Sequence, residues 1–192
     1  MIRPLYDWTM RLAAGRHALP ALAAVSFIES SFFPIPPDVL LIPIILANRR
    51  KAFWIAFLCT VASVIGGYFG YAIGYFLFQT IGRQIFEFYH IMDKYTTLAK
   101  GFEEWGVWII IVKGMTPIPY KLLTIASGAF HFNILLFSVA SLISRSLRFF
   151  LVATLLWKFG EPIREFIERR LTLVTTLFAV SVIGGVLLLM AI

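Results

Sequence analysis

Apolar residues in this chain come in runs, not in the strict alternation that marks a half-buried strand, and the runs fall into two lengths. Residues 52–78 contain no charge, 132–157 contain only Arg145 and Arg148, and 171–192 are again uncharged. A helix needs about 20 apolar residues to cross roughly 30 Å of hydrocarbon, so these three runs predict transmembrane helices. Runs 18–33, 39–47, 105–112 and 122–130 are shorter, about 12 to 24 Å of helix each, too short to cross alone.

The short runs come in pairs, and the same signal splits both. Phe33-Pro34-Ile35-Pro36-Pro37-Asp38 divides the first pair and Thr116-Pro117-Ile118-Pro119-Tyr120-Lys121 the second. Proline removes a backbone donor and ends a helix, and an unpaired backbone group in hydrocarbon costs several kcal/mol, so such breaks persist only under protein or trapped water. Each pair therefore predicts a re-entrant hairpin, over about 18–47 and 105–130, with tips at Pro34, Pro36 and Pro37 and at Pro117 and Pro119. Setting Pro34 against Pro117 also sets Asp38 against Lys121, Leu40 against Leu123 and Ile42 against Ile125. Each half reads as a hairpin followed by a span.

The expected fold is an all-α integral membrane protein of two inverted repeats, each a re-entrant helical hairpin plus a transmembrane helix, with an additional C-terminal transmembrane helix. The membrane domain is expected over 18–160. With the tips facing each other, Asp38 and Lys121 should lie near one another or share one polar cavity. Residues 1–17 carry Ile2, Leu5, Tyr6, Leu12 and Ala13 at helical spacing opposite Arg3, Asp7 and Arg11, which predicts an interfacial amphipathic helix. Those charges also interrupt any signal-peptide core.

Composition fixes the solvent. The chain is 60% hydrophobic and 14% charged, with a mean hydropathy of +0.87, which excludes an ordinary soluble domain. Its net charge of +7 does not point to nucleic acid, because no polar face carries a basic stripe with interleaved aromatics. Orientation accounts for it better. If both hairpins return to their side of entry, Arg3, Arg11, Arg16, Arg49, Arg50, Lys51, Lys158, Arg164, Arg169 and Arg170 share one face, against Arg83, Lys94 and Lys100 on the other. The positive-inside rule then puts the N-terminus in the cytoplasm and the C-terminus outside.

Glu29, Asp38, Lys113, Lys121, Arg145 and Arg148 fall inside apolar segments. A charge at the membrane centre costs about 2.5 to 3.5 kcal/mol on insertion scales, so these six must face protein, water or one another. Two are negative and four positive; an anionic ligand would complete the balance. Arg145 and Arg148 continue a stripe begun by Ser138 and Ser141, a lining suited to phosphate because a guanidinium donates parallel hydrogen bonds, with Lys113 and Lys121 as point charges near the second tip. The same charges would equally serve an ion-pair network that only joins the halves. Glu29 and Asp38 are the candidate proton carriers. Gly66, Gly67, Gly70 and Gly74 form a smooth face for close helix packing or for dimerisation into a homo-oligomer.

Other chemistries lack their residues. There is no phosphate-cradling Gly-rich loop ending in Lys-Ser/Thr and no Gly-x-Ser-x-Gly elbow. His17, His90 and His131 have no partners at ligand spacing, so neither a metal nor another cofactor is expected. Cys59 reads as a small buried hydrophobe.

Glu29-Ser30-Ser31 before the first tip, Gly66-Gly67-x-x-Gly70-Tyr71-x-x-Gly74, and Lys113-x-x-x-Pro117-x-Pro119-Tyr120-Lys121 before Ser127-Gly128 together resemble the DedA family, also called the VTT or SNARE-associated Golgi family. Arg145-x-x-Arg148-Phe149-Phe150 is similar to its YqaA-like branch. The resemblance covers roughly 18–160. It implies facing re-entrant hairpins in a bacterial inner membrane and movement of undecaprenyl phosphate or phospholipid across the bilayer, linked to proton motive force. It implies an acidic pair at Glu29 and Asp38 and a basic set at Lys113, Lys121, Arg145 and Arg148. One departure stands out: lysines replace the arginines that usually flank the second proline motif, which removes bidentate phosphate recognition there. The expected activity is a non-enzymatic flippase or scramblase for a lipid with an anionic phosphate headgroup; a proton-coupled carrier of a soluble ion and a structural assembly factor are the alternatives.

Overall fold

A computed structural model describes residues 15, 17–32, 36–88, 92–116 and 119–169. The helix expected near the N-terminus, the span expected over 171–192 and the tip residues Pro34 and Pro117 lie outside the described residues. Within them every regular element is helical: α1 (Ala18–Ser31), α2 (Asp38–Ala47), a 3₁₀ turn (Arg49–Lys51), α3 (Ala52–Leu77), a π segment (Phe78–Gly82), α4 (Arg83–Phe88), α5 (Met92–Gly114), α6 (Tyr120–Ala129) and α7 (Ile134–Arg169).

The prolines set the starts of the short helices. Pro37 precedes α2 with φ −64°, already helical, and places Asp38 in the first turn, where the positive end of the helix favours a carboxylate. Pro119 precedes α6 with φ −58° but ψ 118°, outside the helical region, so α6 begins only at Tyr120. Asn133 caps α7, its Oδ1 accepting from the backbone N–H groups of Leu135 at 2.9 Å and Leu136 at 3.2 Å.

Two helices run further than their apolar runs. The arm expected over 105–112 is the apolar end of the 23-residue α5, about 35 Å long, whose first half carries Asp93, Lys100, Glu103 and Glu104. α7 continues past 157 to Arg169 through a kink at Phe159 (φ −116°, ψ 21°), three residues before Pro162. Hydrophobicity marks the stretch a membrane covers, whereas helix ends are set by propensity and breakers; Lys, Glu and Ala carry a helix readily into water.

The helices are arranged about α3 and α7. α3 and α7 are antiparallel: Phe53 meets Trp157 at one end, with ring centroids 6.0 Å apart, and at the other Tyr68 and Tyr71 donate to Ser138 Oγ and to the Phe132 carbonyl, each at 2.7 Å. α1 runs parallel to α3 along its first half, Ser26 donating to the Cys59 carbonyl at 2.9 Å and Ser31 to the Gly66 carbonyl at 3.0 Å. α6 takes up where α1 stops, with Tyr120 and Thr124 against Gly67, Thr124 against Gly70 and Ile125 against Gly74. α7 carries a matching pair. α5 runs beside its first half, with Gly106 against Phe132 and Gly114 against Ser144, and α2 continues from Asp38 beside Arg148 towards Arg49 beside Gly160. Thus α1 ends and α6 begins near the middle of α3, while α5 ends and α2 begins near the middle of α7.

Glycine permits this closeness. A Cβ at Gly66 would overlap the carbonyl of Phe27, one at Gly74 that of Ile125, and one at Gly128 that of Tyr71, so α3 meets α1 and α6 backbone to backbone. Two apolar clusters fill the ends: Leu22, Leu41, Ile45, Ala56, Phe149 and Leu156 at one, Phe102, Ile110, Tyr120, Phe132, Phe137 and Ala140 at the other. The outer surface is apolar as well, with Trp54, Phe57, Phe69 and Phe76 on α3 and Leu135, Val139 and Leu151 on α7 exposed, as hydrocarbon around the protein would require.

Candidate functional site

At the level where the half-length helices meet, the fold gathers the charges. Glu29 sits one turn from the end of α1, held by its neighbours: Ser30 Oγ lies 3.2 Å from Glu29 Oε2 and 2.6 Å from Ser63 Oγ of α3. Asp38 opens α2. Arg145 and Arg148, three apart, project from one face of α7 towards both. Arg145 Nη2 donates to Glu29 Oε2 at 3.4 Å, and Arg148 Nη2 donates to Asp38 Oδ2 at 2.6 Å. Both α1 and α2 are therefore tied to α7 by ion pairs.

The two pairs differ in environment. The Arg145 side chain is 0% exposed and that of Glu29 11%, whereas Arg148 and Asp38 are 24% and 18% exposed. Arg145 lies between two rings, 4.6 Å from the centroid of Tyr120 and 4.7 Å from that of Phe149, an arrangement that stabilises a guanidinium deprived of water. Its remaining donors are unsatisfied. Arg145 Nε and Nη1, the Tyr120 hydroxyl and Ser141 Oγ are all buried without a protein partner, although Tyr120 lies beside Ser141 and Ser141 stands one turn before Arg145. A buried donor left without a partner costs about 1 to 3 kcal/mol, so the cluster is a costly one, and the two hydroxyls have only each other close by.

The lysines are placed differently. Lys121, in the first turn of α6, donates to the Phe32 carbonyl at 3.4 Å and so neutralises the negative end of α1. Lys113 is exposed near the end of α5, its charge complementing that helix terminus. Asp38 thus takes Arg148 as its ion-pair partner, not Lys121, which meets backbone where Asp38 meets a side chain. With two carboxylates matched to two arginines, the positive excess resides on Lys113 and Lys121.

The structure brings together Glu29, Asp38, Arg145, Arg148, Ser141 and Lys121, with Pro36, Pro37 and Pro119 beside them at the helix starts. It puts Gly66, Gly67, Gly70 and Gly74 in the helix seam. Sequence reasoning missed the aromatic clamp. Its signals were present: Phe149 lies one turn after Arg145, and Tyr120 closes the second proline motif. Among the described residues no three His, Cys, Asp or Glu side chains are grouped so as to hold a metal ion.

The family model described as the VTT domain matches residues 35–158. An uncharacterised protein of Haemophilus influenzae is 40% identical over 168 residues, covering 85% of this chain and 87% of its own, and one of Histophilus somni is 43% identical over the same length and shares. An uncharacterised protein of Methanocaldococcus jannaschii is 26% identical over 125 residues, 65% of this chain and 74% of its own. No solved structure matches. All-helical among its described residues, with two helices there long and apolar enough to cross a bilayer, a seam of glycines and charges gathered where its helix ends meet, the chain is a membrane protein that belongs to the VTT-domain, or DedA, family.

Proposed function

We propose that this protein is a lipid transporter, a flippase or scramblase, for lipids with an anionic phosphate headgroup such as undecaprenyl phosphate or a phospholipid. The short helices α1 with α2, and the apolar end of α5 with the short α6, are read as re-entrant hairpins entering from opposite faces of a bacterial inner membrane, and the two halves as inverted repeats. Their end-to-end meeting halfway along α3 and α7 supports this reading, because it sets the ion pairs at the depth a headgroup finds hardest to cross.

The observation that carries the proposal is the pair of ion bridges, Glu29 with Arg145 and Asp38 with Arg148, inside the helix bundle. Two oxygens of a phosphate accept side by side from a guanidinium as those of a carboxylate do, so a headgroup competes with Asp38 for Arg148. A proton on Asp38 cancels the competing charge and releases Arg148 to the phosphate; loss of that proton reforms the bridge and expels it. Arg148 with Asp38, the more exposed pair, would exchange first, while Lys113 and Lys121 hold the approaching charge. The acyl or prenyl tail stays in hydrocarbon.

The test is transbilayer movement of a labelled phosphate-bearing lipid in liposomes holding the purified full chain. Wild type is expected to exceed empty liposomes at least tenfold, with Arg148→Ala slowing it about tenfold or more. Movement equal to empty liposomes across several phosphate lipids would remove the proposal and leave a carrier of soluble ions or an assembly factor.

A further inference from the structure

Four buried polar atoms are left over once both ion bridges are counted: Arg145 Nε, Arg145 Nη1, Tyr120 Oη and Ser141 Oγ. They are not scattered. Ser141 and Arg145 share one face of α7 a turn apart, and Tyr120, at the start of α6, lies beside Ser141 with its ring against the guanidinium. Arg145 offers one hydrogen on Nε and two on Nη1, each hydroxyl offers another, and the guanidinium accepts nothing. A group of this kind is complementary to an acceptor-only ligand; an ammonium headgroup would bring it further donors.

We propose that Tyr120, Ser141 and the Nε and Nη1 atoms of Arg145 form an oxyanion site that takes a phosphate oxygen, with the Tyr120 hydroxyl a specificity-determining group. The two edges of Arg145 then have separate tasks, Nη2 holding Glu29 and the other nitrogens meeting the ligand. The Tyr120 and Phe149 rings both pack on the guanidinium, which restricts its orientation before any ligand arrives. Arg148, one turn further along the same face and 24% exposed, marks the side of entry. The source of the phosphate, a lipid headgroup, rests on the transporter reading; free phosphate presents the same chemistry.

The variants are Tyr120→Phe, which keeps the ring and removes the hydroxyl, and Ser141→Ala. Melting of the full chain in detergent is followed against inorganic phosphate, short-chain phosphatidic acid and the matching diacylglycerol. Wild type is expected to be stabilised saturably by phosphatidic acid, by inorganic phosphate or by both, and not by diacylglycerol; stabilisation by phosphatidic acid alone assigns the site to lipid, and by inorganic phosphate alone to the free ion. Each variant should weaken phosphate binding about tenfold, a hydrogen bond to a charged group being lost. Without ligand both should melt at or above wild type, since each removes an unsatisfied hydroxyl. Equal stabilisation by diacylglycerol, unchanged affinity in the variants, or lower melting of the unliganded variants would each overturn the site. Failure of lipid movement in liposomes while phosphate binding still depends on Tyr120 would remove the transporter reading and leave the site. Lipid movement without such dependence would do the reverse.

Discussion

Arg145 is charged, wholly buried and matched to Glu29 at 3.4 Å, a contact long for a charge-assisted hydrogen bond. What keeps it in place is shared among a carboxylate and two aromatic faces. Removing one partner of such a buried pair leaves the other uncompensated, at a cost of about 3 to 5 kcal/mol, whereas replacing both with neutral side chains of similar size can be nearly neutral. Glu29→Gln alone should therefore lower stability by about 3 kcal/mol in detergent melting, and the double variant Glu29→Gln, Arg145→Met should recover most of it. Asp38→Asn, at the more exposed pair, should cost about 1 kcal/mol. A Glu29→Gln protein that melts like wild type would show that the bridge does not hold α1 to α7.

Among the elements, α3 bears the closest contacts, because it lies against α1 along one half and α6 along the other. A methyl group at Gly74 would enter the backbone of Ile125, and no rotamer change can relieve an overlap with a carbonyl. Gly74→Ala should cost about 1 to 3 kcal/mol of stability through forced separation of α3 from α6. Gly101 in α5 has open space around its Cα, and Gly101→Ala should leave stability unchanged or raise it by about 0.5 to 1 kcal/mol through helix propensity. Comparing the two melting temperatures separates packing from propensity. Equal shifts would mean that the seam is loose.

For the whole molecule the question is which end faces which compartment. Arg49, Arg50 and Lys51 immediately precede α3, and Gly160 of α7 lies against Arg49, so this end gathers those three basic residues together with Lys158. Lys100 belongs to the opposite end, where α5 begins beside the start of α7. Positive charge is retained on the cytoplasmic side. Single cysteines at Arg50 and Lys158, in a Cys59→Ala background, should react with a membrane-impermeant thiol reagent only after the cytoplasmic face is opened, and one at Lys100 should react in intact cells. Labelling of Arg50→Cys and Lys158→Cys from different sides would break the antiparallel placement of α3 and α7 in the membrane.

Much of this was legible from local properties. The length of an apolar run states whether a helix can cross hydrocarbon, a proline states where it must stop, and a charge in such a run demands a partner; each depends on residues a turn or two apart. The runs over 52–78 and 132–157 became α3 and most of α7, and the prolines became the starts of α2 and α6. Partner choice is different. Asp38 and Arg148 are 110 positions apart and Glu29 and Arg145 are 116, and pattern matching between the halves pointed Asp38 to Lys121. Only the crossing of helices could decide it, since α2 lies along the second half of α7 and so meets Arg148, while α6 lies along α3 and delivers Lys121 to the end of α1 and Tyr120 to the face of Arg145. Sequence determined the solvent, the helices and the charges in need of partners. Tertiary structure decided the partners and left four donors over, because depth and direction in a bundle are properties of pairs of helices and belong to no single one.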